Sequence, residues 1–183
     1  MNCPKCKTVS LRPVKLERGL SAMGCPSCQG AVVSLLSYRD WLELFALLQP
    51  EDDDSNGGAG LEPVDGNETH IALNCPKCKR LMVKYRIAVD MESRLDFCVN
   101  CDEVWLDAGE WELLKAMELE RRMPMVLTEV WQRRVREQER EDNLDQRLMK
   151  FVSRADLVKA RKVRQWLQDH PNKSEILLYI RHD

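Results

Sequence analysis

The sequence has 183 residues, of which 44% are hydrophobic and 32% charged, and its formal net charge at pH 7 is -2. This is the composition of a soluble globular protein, and no apolar run approaches the roughly 20 residues that a bilayer-spanning helix needs. The first cysteine pair begins at residue 3, which leaves no room for a secretory signal. We therefore expect a cytoplasmic protein whose cysteines stay reduced.

Eight cysteines dominate the pattern, as four pairs that each have a two-residue spacer. They are Cys3 and Cys6, Cys25 and Cys28, Cys75 and Cys78, and Cys98 and Cys101. A two-residue spacer lets one tight turn bring two sulfurs to one ion, and two such turns complete a tetrahedron. The spacing therefore predicts two Zn²⁺ per chain with all eight cysteines as ligands. Because four protein ligands fill the coordination sphere, both zinc sites are expected to be structural.

Thiol redox chemistry is the alternative interpretation, because C-P-x-C also occurs in thioredoxin-like proteins. That chemistry needs a single pair in a βαβ setting, whereas here the pairs are matched and joined by predicted hairpins. Basic residues beside the first pair of each set are expected to offset the negative charge of a zinc–thiolate centre. They are Lys5, Lys7, Lys77, Lys79 and Arg80.

Residues 1–49 predict a first zinc ribbon with a short helix. An alternating apolar pattern from Val9 is interrupted at Pro13, which indicates an edge strand or a bulge. The run Ser37–Asp40 reads as a capping box, in which a side-chain oxygen accepts a helical N–H and a carboxylate three residues on reaches back. We expect the helix to begin there.

Residues 50–73 predict an acidic linker, since residues 51–74 contain seven acidic and no basic residues. The quartet Glu51–Asp54 could be imagined as a cation site, but nothing fixes its carboxylates, and a solvated, self-repelling linker is favoured. We expect such a linker to transmit little of the effect of a substitution in one ribbon to the rest of the chain. Replacing a ligand in the first ribbon, as in Cys6→Ser, should then leave the C-terminal helices largely intact.

Residues 74–123 predict a second zinc ribbon with a helix. Apolar residues alternate with polar ones, the period of a strand, at Leu81, Val83, Tyr85, Ile87 and Val89. The run Asp90–Ser93 predicts the turn of a hairpin, and Arg94–Phe97 its return strand. Asp107–Glu110 reads as another capping box. The shared order of cysteine pairs, capping box and Trp predicts a duplicated unit.

The segment C-V-N-C-D-E-V-W-L-D-A-G-E-W, Cys98 to Trp111, resembles the bacterial transcription factor IIB-type zinc-finger family. The resemblance covers residues 75–114 closely and the first ribbon more loosely, about half the chain. Glu103 stands where that family has glycine, and Val32 stands where it has Trp. The resemblance implies zinc binding strongly and transcription only weakly. Trp41, Trp105 and Trp111 are interpreted as core residues.

Residues 124–183 predict a C-terminal helical region. The polar stretch Arg136–Asn143 fits either a solvated helix span or a loop, Ser153 opens a helix through a further capping box, and the final element Glu175–Arg181 is of uncertain type. An apolar stripe is expected to form a helix face that binds a protein partner, so that Trp131→Ala weakens the complex. The stripe comprises Leu127, Val130, Trp131 and Val135.

Together these observations predict an α+β fold of two small four-cysteine zinc ribbons, each a β-hairpin with a following helix, plus a helical extension. The expected function is zinc-dependent recognition of a protein partner, or self-association, without a small-molecule substrate. Nucleic-acid binding in transcription is the alternative, because a basic helix can track phosphates. No enzyme is expected, since His70, His170 and His182 lie away from the cysteine pairs and no phosphate loop appears.

Overall fold

The structure is a computed structural model that describes residues 1–48 and 70–182. Six strands form one antiparallel sheet in the order β1-β2-β3-β6-β5-β4. The strands are β1 Arg12–Glu17, β2 Leu20–Gly24, β3 Ala31–Ser34, β4 Val83–Arg86, β5 Arg94–Cys98 and β6 Glu103–Leu106. The prediction of an α+β fold is confirmed. The predicted linker lies outside the described residues, apart from residues 70–73.

The helices follow the strands of each half and continue to the C-terminal end of the described chain. They are α1 Leu35–Leu48, α2 Glu110–Ala116, α3 Met123–Val126, α4 Glu129–Leu148, α5 Arg154–Gln168 and α6 Lys173–Ile180. The polar stretch from residue 136 to residue 143 is therefore helical, and so is the final element. None of the helices in the described ranges is long and apolar enough to cross a bilayer.

Each half of the sheet is a hairpin followed by a third short strand, which the sequence pattern did not predict. We call residues 1–48 the first half and residues 70–136 the second half. Pro13 lies in the edge strand β1, and the register of β1 against β2 shifts between Lys15 and Glu17. The interruption at Pro13 thus marks an edge strand, which is where proline is tolerated because it cannot donate to a ladder.

The two halves meet in the middle of the sheet, where β3 pairs with β6. Val32 lies opposite Trp105, with Ala31 opposite Leu106 and Val33 opposite Val104. Val32 follows Cys28 by four residues and Trp105 follows Cys101 by four, so the pairing is symmetric about these two residues. The acidic segment between the halves therefore does not keep them apart.

Alternation along these central strands gives the sheet two apolar faces. One face carries Val33 and Val104, and it packs against the helices around Tyr38 and Trp111. The other face carries Val32 and Trp105 with all eight cysteines. Strands that are buried on both faces read as continuous apolar runs, as residues 31–33 and 104–106 do.

Hydrogen bonds fix helix α1 to the second half. The Tyr38 hydroxyl donates to the carbonyl oxygen of Glu120 at 2.7 Å and accepts from the N–H of Met123 at 3.3 Å. Burial raises the pKa of Tyr38 to about 12. The indole rings of Trp41 and Trp111 also meet edge to face, with centroids 5.9 Å apart. The interpretation of these tryptophans as core residues is confirmed.

The capping boxes have three different outcomes. Ser153 caps α5, because its hydroxyl accepts from the N–H of Asp156 at 3.2 Å. At α2 only the Glu110 part of the predicted box forms, and Gly109, with φ of 86°, is the N-cap. The box at Ser37 is wrong, since α1 already begins at Leu35. Helix α1 starts directly from β3, where the Ser34 hydroxyl accepts the N–H of Leu36 at 3.2 Å, so Ser34 and not Ser37 caps the helix.

The chain divides into two compact units, residues 1–136 and residues 137–183, with the boundary inside α4. In the second unit Leu157 and Leu167 are buried. Ion pairs join Asp145 to Arg161 and Glu141 to Arg164, so α4 and α5 are linked by complementary charge within this unit.

Candidate metal centre

All four cysteine pairs lie in turns of the same shape. In each turn the residue after the second cysteine donates its N–H to the carbonyl of the first cysteine, at 2.8–2.9 Å. These residues are Lys7, Gln29, Lys79 and Asp102, with φ between 53° and 64°. A left-handed non-glycine residue is uncommon, so four at equivalent positions reflect one requirement of the turn. The local sequence thus sets the geometry of each pair.

The turns bring the cysteines together in two groups of four, whose sulfurs lie within 4.8 Å of one another in each group. The first centre is Cys3, Cys6, Cys25 and Cys28, and the second centre is Cys75, Cys78, Cys98 and Cys101. The grouping is the one that the spacing predicts. All eight cysteines are free thiols, so each can lose its proton and bind a metal ion as a thiolate.

The sulfur separations fit a single tetrahedral ion. A metal–sulfur distance of about 2.3 Å requires sulfur–sulfur edges of about 3.8 Å. The Sγ atoms of Cys3 and Cys28 are 3.6 Å apart, and those of Cys6 and Cys25 are 3.9 Å apart. In the second centre Cys78 and Cys98 are separated by 3.6 Å. These edges are far longer than the roughly 2.0 Å of a disulfide, so both groups could hold a metal ion.

Burial and backbone hydrogen bonds give the thiols of each centre different pKa values. A hydrogen bond from the N–H of Arg80 lowers the pKa of Cys78 to about 7. At Cys25 burial opposes ionisation, but backbone hydrogen bonds outweigh it and lower the pKa to about 7. Burial is the largest cause that raises the pKa of Cys3, Cys28, Cys75 and Cys98. One thiol in each centre is therefore poised to ionise near neutral pH, and a bound metal would displace protons from the others.

In each centre, the lysine between the first two cysteines pairs with a carboxylate of the second half. The Lys77 ammonium lies 3.1 Å from Oε1 of Glu103, which stands where the resembled family has glycine. The Lys5 ammonium lies 3.4 Å from Oδ1 of Asp107, whose side chain is almost fully buried. These two lysines therefore have partners near the centres, and Lys5 connects the first centre to the second half.

A buried polar network follows the second centre, and sequence reasoning missed most of it. Asp107 accepts a hydrogen bond from Nε1 of Trp105 at 3.0 Å. Glu110 accepts from the N–H of Asp107 at 2.8 Å and from the N–H of Arg94 at 3.1 Å. The W-L-D-x-G-E motif thus fixes β6 to β5 and to the start of α2. The capping box predicted the contact of Glu110 with the N–H of Asp107. The bonds from Trp105 and from Arg94 had no local signal.

Trp131 is half-buried and packs against the core of the second half, so its indole is only partly open to a partner; partner binding through this stripe stays a prediction. Its Nε1 donates to the carbonyl of Ile87 at 3.1 Å, and its ring packs on the helix-facing core. Val135 is buried and Leu127 is half-buried, while Val130 is exposed. The same chain therefore covers the stripe in part, at Trp131 and Val135.

Comparisons of the chain with protein-family models, with curated proteins and with solved structures found no match. The fold and the site therefore define a class only: an α+β protein with a six-stranded antiparallel sheet and two four-cysteine groups that could hold metal ions.

Proposed function

We propose that the protein is a zinc-binding recognition module in which two structural Zn²⁺ ions organise a pair of zinc ribbons of the transcription factor IIB type. The observation that carries the proposal is the pair of four-sulfur groups, each within 4.8 Å. Tetrahedral sites of four thiolates favour Zn²⁺. Eight free thiols suit the reducing conditions of the cytoplasm, and a filled coordination sphere gives the metal no catalytic position.

Metal analysis tests this proposal directly. Protein purified under reducing conditions should contain two zinc ions per chain, because each group of thiols completes one tetrahedron. Elemental analysis would give the ratio, and thiol titration should find the cysteines protected until a chelator is added. Iron in place of zinc, or a ratio of one or less in freshly purified protein, would contradict the proposal.

The recognition role is proposed to be directed at a protein, either another chain or a second copy. Unit 137–183 exposes several large apolar side chains, with Phe151 86% and Tyr179 83% exposed and Trp166 55% exposed. Aromatic side chains at this exposure are typical anchors of protein interfaces. The Trp166 ring also contacts the His170 ring, with centroids 5.2 Å apart and the ring planes tilted by 58°.

We expect the double variant Trp166→Ser, Tyr179→Ser to weaken self-association or partner binding at least tenfold while both zinc ions are retained. The physical reason is the loss of two apolar anchors. Sedimentation velocity with parallel zinc analysis measures both properties, and Lys162→Glu, on the same unit, serves as the control. Salt-dependent RNA or DNA binding that Lys162→Glu abolishes and the double variant leaves unchanged would favour the nucleic-acid alternative.

A further inference from the structure

We propose that the two centres take up zinc as a coupled pair, and that the contact between Gly30 and Trp105 carries the coupling. The inference rests on the proposed zinc-binding function. Trp105 belongs to the second half, yet it is fully buried in a cluster that contains the cysteines of both centres. Trp105 is therefore a positioning residue for both metal sites.

Gly30 shows how closely the two halves meet at this point. A Cβ atom on Gly30 would lie 2.4 Å from Cζ2 of Trp105, a distance that real Cβ atoms do not tolerate. Gly30 also completes the turn of the first centre, since its carbonyl accepts the N–H of Cys25 at 2.8 Å. The indole of the second half thus packs directly on the backbone that shapes the first centre.

A polar connection follows the same route. The Lys5 side chain, inside the first turn of the first centre, reaches Asp107, and Asp107 accepts from the indole N–H of Trp105. At the other end of the central strands, the N–H of Leu35 donates to the carbonyl of Asp102 at 2.8 Å. Asp102 directly follows Cys101 in the sequence. In both of these contacts between the halves, the first half donates to an acceptor in the second half.

Loss of metal at one centre should consequently weaken the other. Halves of about 50 and about 70 residues each bury so little apolar surface that they are marginal without their metal. If the turn at Gly30 loosens, Trp105 loses its cover and the cysteine-bearing face opens to water. Because coupling between sites is reciprocal, each zinc ion raises the affinity for the other. Repulsion between two doubly negative zinc–thiolate centres would act in the opposite direction. The sign of the measured coupling therefore shows which of the two effects is larger.

Native mass spectrometry of the full reduced chain, titrated from the metal-free state with zinc ions alone, tests the inference. Two equal and independent sites give about half of the molecules singly loaded at half saturation, whereas coupling of about 100-fold, within the usual range, leaves about a tenth. We expect the doubly loaded form to replace the metal-free form directly. A dominant singly loaded form would overturn the coupling alone, and a chain that binds no zinc would overturn the proposed function with it.

Two glycine variants then locate the coupling. Gly30→Ala must displace Trp105 of the other half, whereas at Gly24 a Cβ would meet the methyl groups of Val14, 2.8 Å away, inside the first half. Gly30→Ala is expected to raise the singly loaded fraction to about a third or more, and Gly24→Ala to lower the overall affinity without raising that fraction. Lys5→Met adds no clash and should shift the fraction in the same direction as Gly30→Ala. Equal behaviour of Gly30→Ala and Gly24→Ala would overturn the route through Trp105.

Discussion

Replacing Cys6 with serine is expected to unfold the second half of the sheet as well as the first. A structural four-cysteine zinc site contributes about 10–16 kcal/mol, which matches or exceeds the whole stability of a typical domain, about 5–15 kcal/mol. Since β3 pairs with β6 over four residue pairs, loss of the first half would leave the middle of the sheet uncovered. This expected result differs from the expectation drawn from the acidic segment, that Cys6→Ser leaves the C-terminal helices largely intact.

Amide spectra and far-ultraviolet circular dichroism of Cys6→Ser, Cys78→Ser and the control Thr8→Ala would measure this effect. Thr8 is exposed and bonds only the carbonyl of Cys6 among the contacts described for its side chain, so Thr8→Ala should fold and bind zinc normally. Both cysteine variants should lose the dispersed signals of β4, β5 and β6. Native-like signals from these strands in Cys6→Ser would show that the halves are stable separately.

Glu110→Ala is expected to lower the free energy of unfolding by about 2–6 kcal/mol, because two backbone N–H groups lose a charged acceptor. Glu110 is 1% exposed, and its carboxylate accepts the backbone N–H groups of Asp107 and Arg94. Its removal takes away these two hydrogen bonds, and the loss of an acceptor for a buried or part-buried N–H costs about 1–3 kcal/mol. Alanine retains the helix propensity of the position, so the loss reports the carboxylate rather than the helix.

Urea unfolding of the zinc-loaded protein measures this loss, with Glu112→Ala as the matched control. Glu112 lies in the same helix and is exposed, and surface substitutions away from special features usually change stability by less than about 0.5 kcal/mol. If the two variants were equally stable, the network at the start of α2 would have no energetic role.

The local elements of the site could be predicted from the sequence alone. The two-residue spacers predicted the four turns, because each turn is closed by a hydrogen bond within five residues. The hairpin return from Arg94 and the cap at Ser153 were also predicted, since alternation and capping are properties of neighbouring residues. The grouping of the sulfurs followed from these turns together with the matched separation of the pairs.

How the two halves pair depends on long-range contacts that appear in the tertiary structure alone. The central strands β3 and β6 have four residues each, too few for a pattern to distinguish a strand from a helix start. Their pairing joins residues 69 to 75 positions apart in the sequence, so no local signal specifies it. The same holds for Trp131, whose apolar stripe the sequence located but whose partner, Ile87, is brought to it by the sheet. Burial of both sheet faces, a property of the whole assembly of elements, selects these contacts.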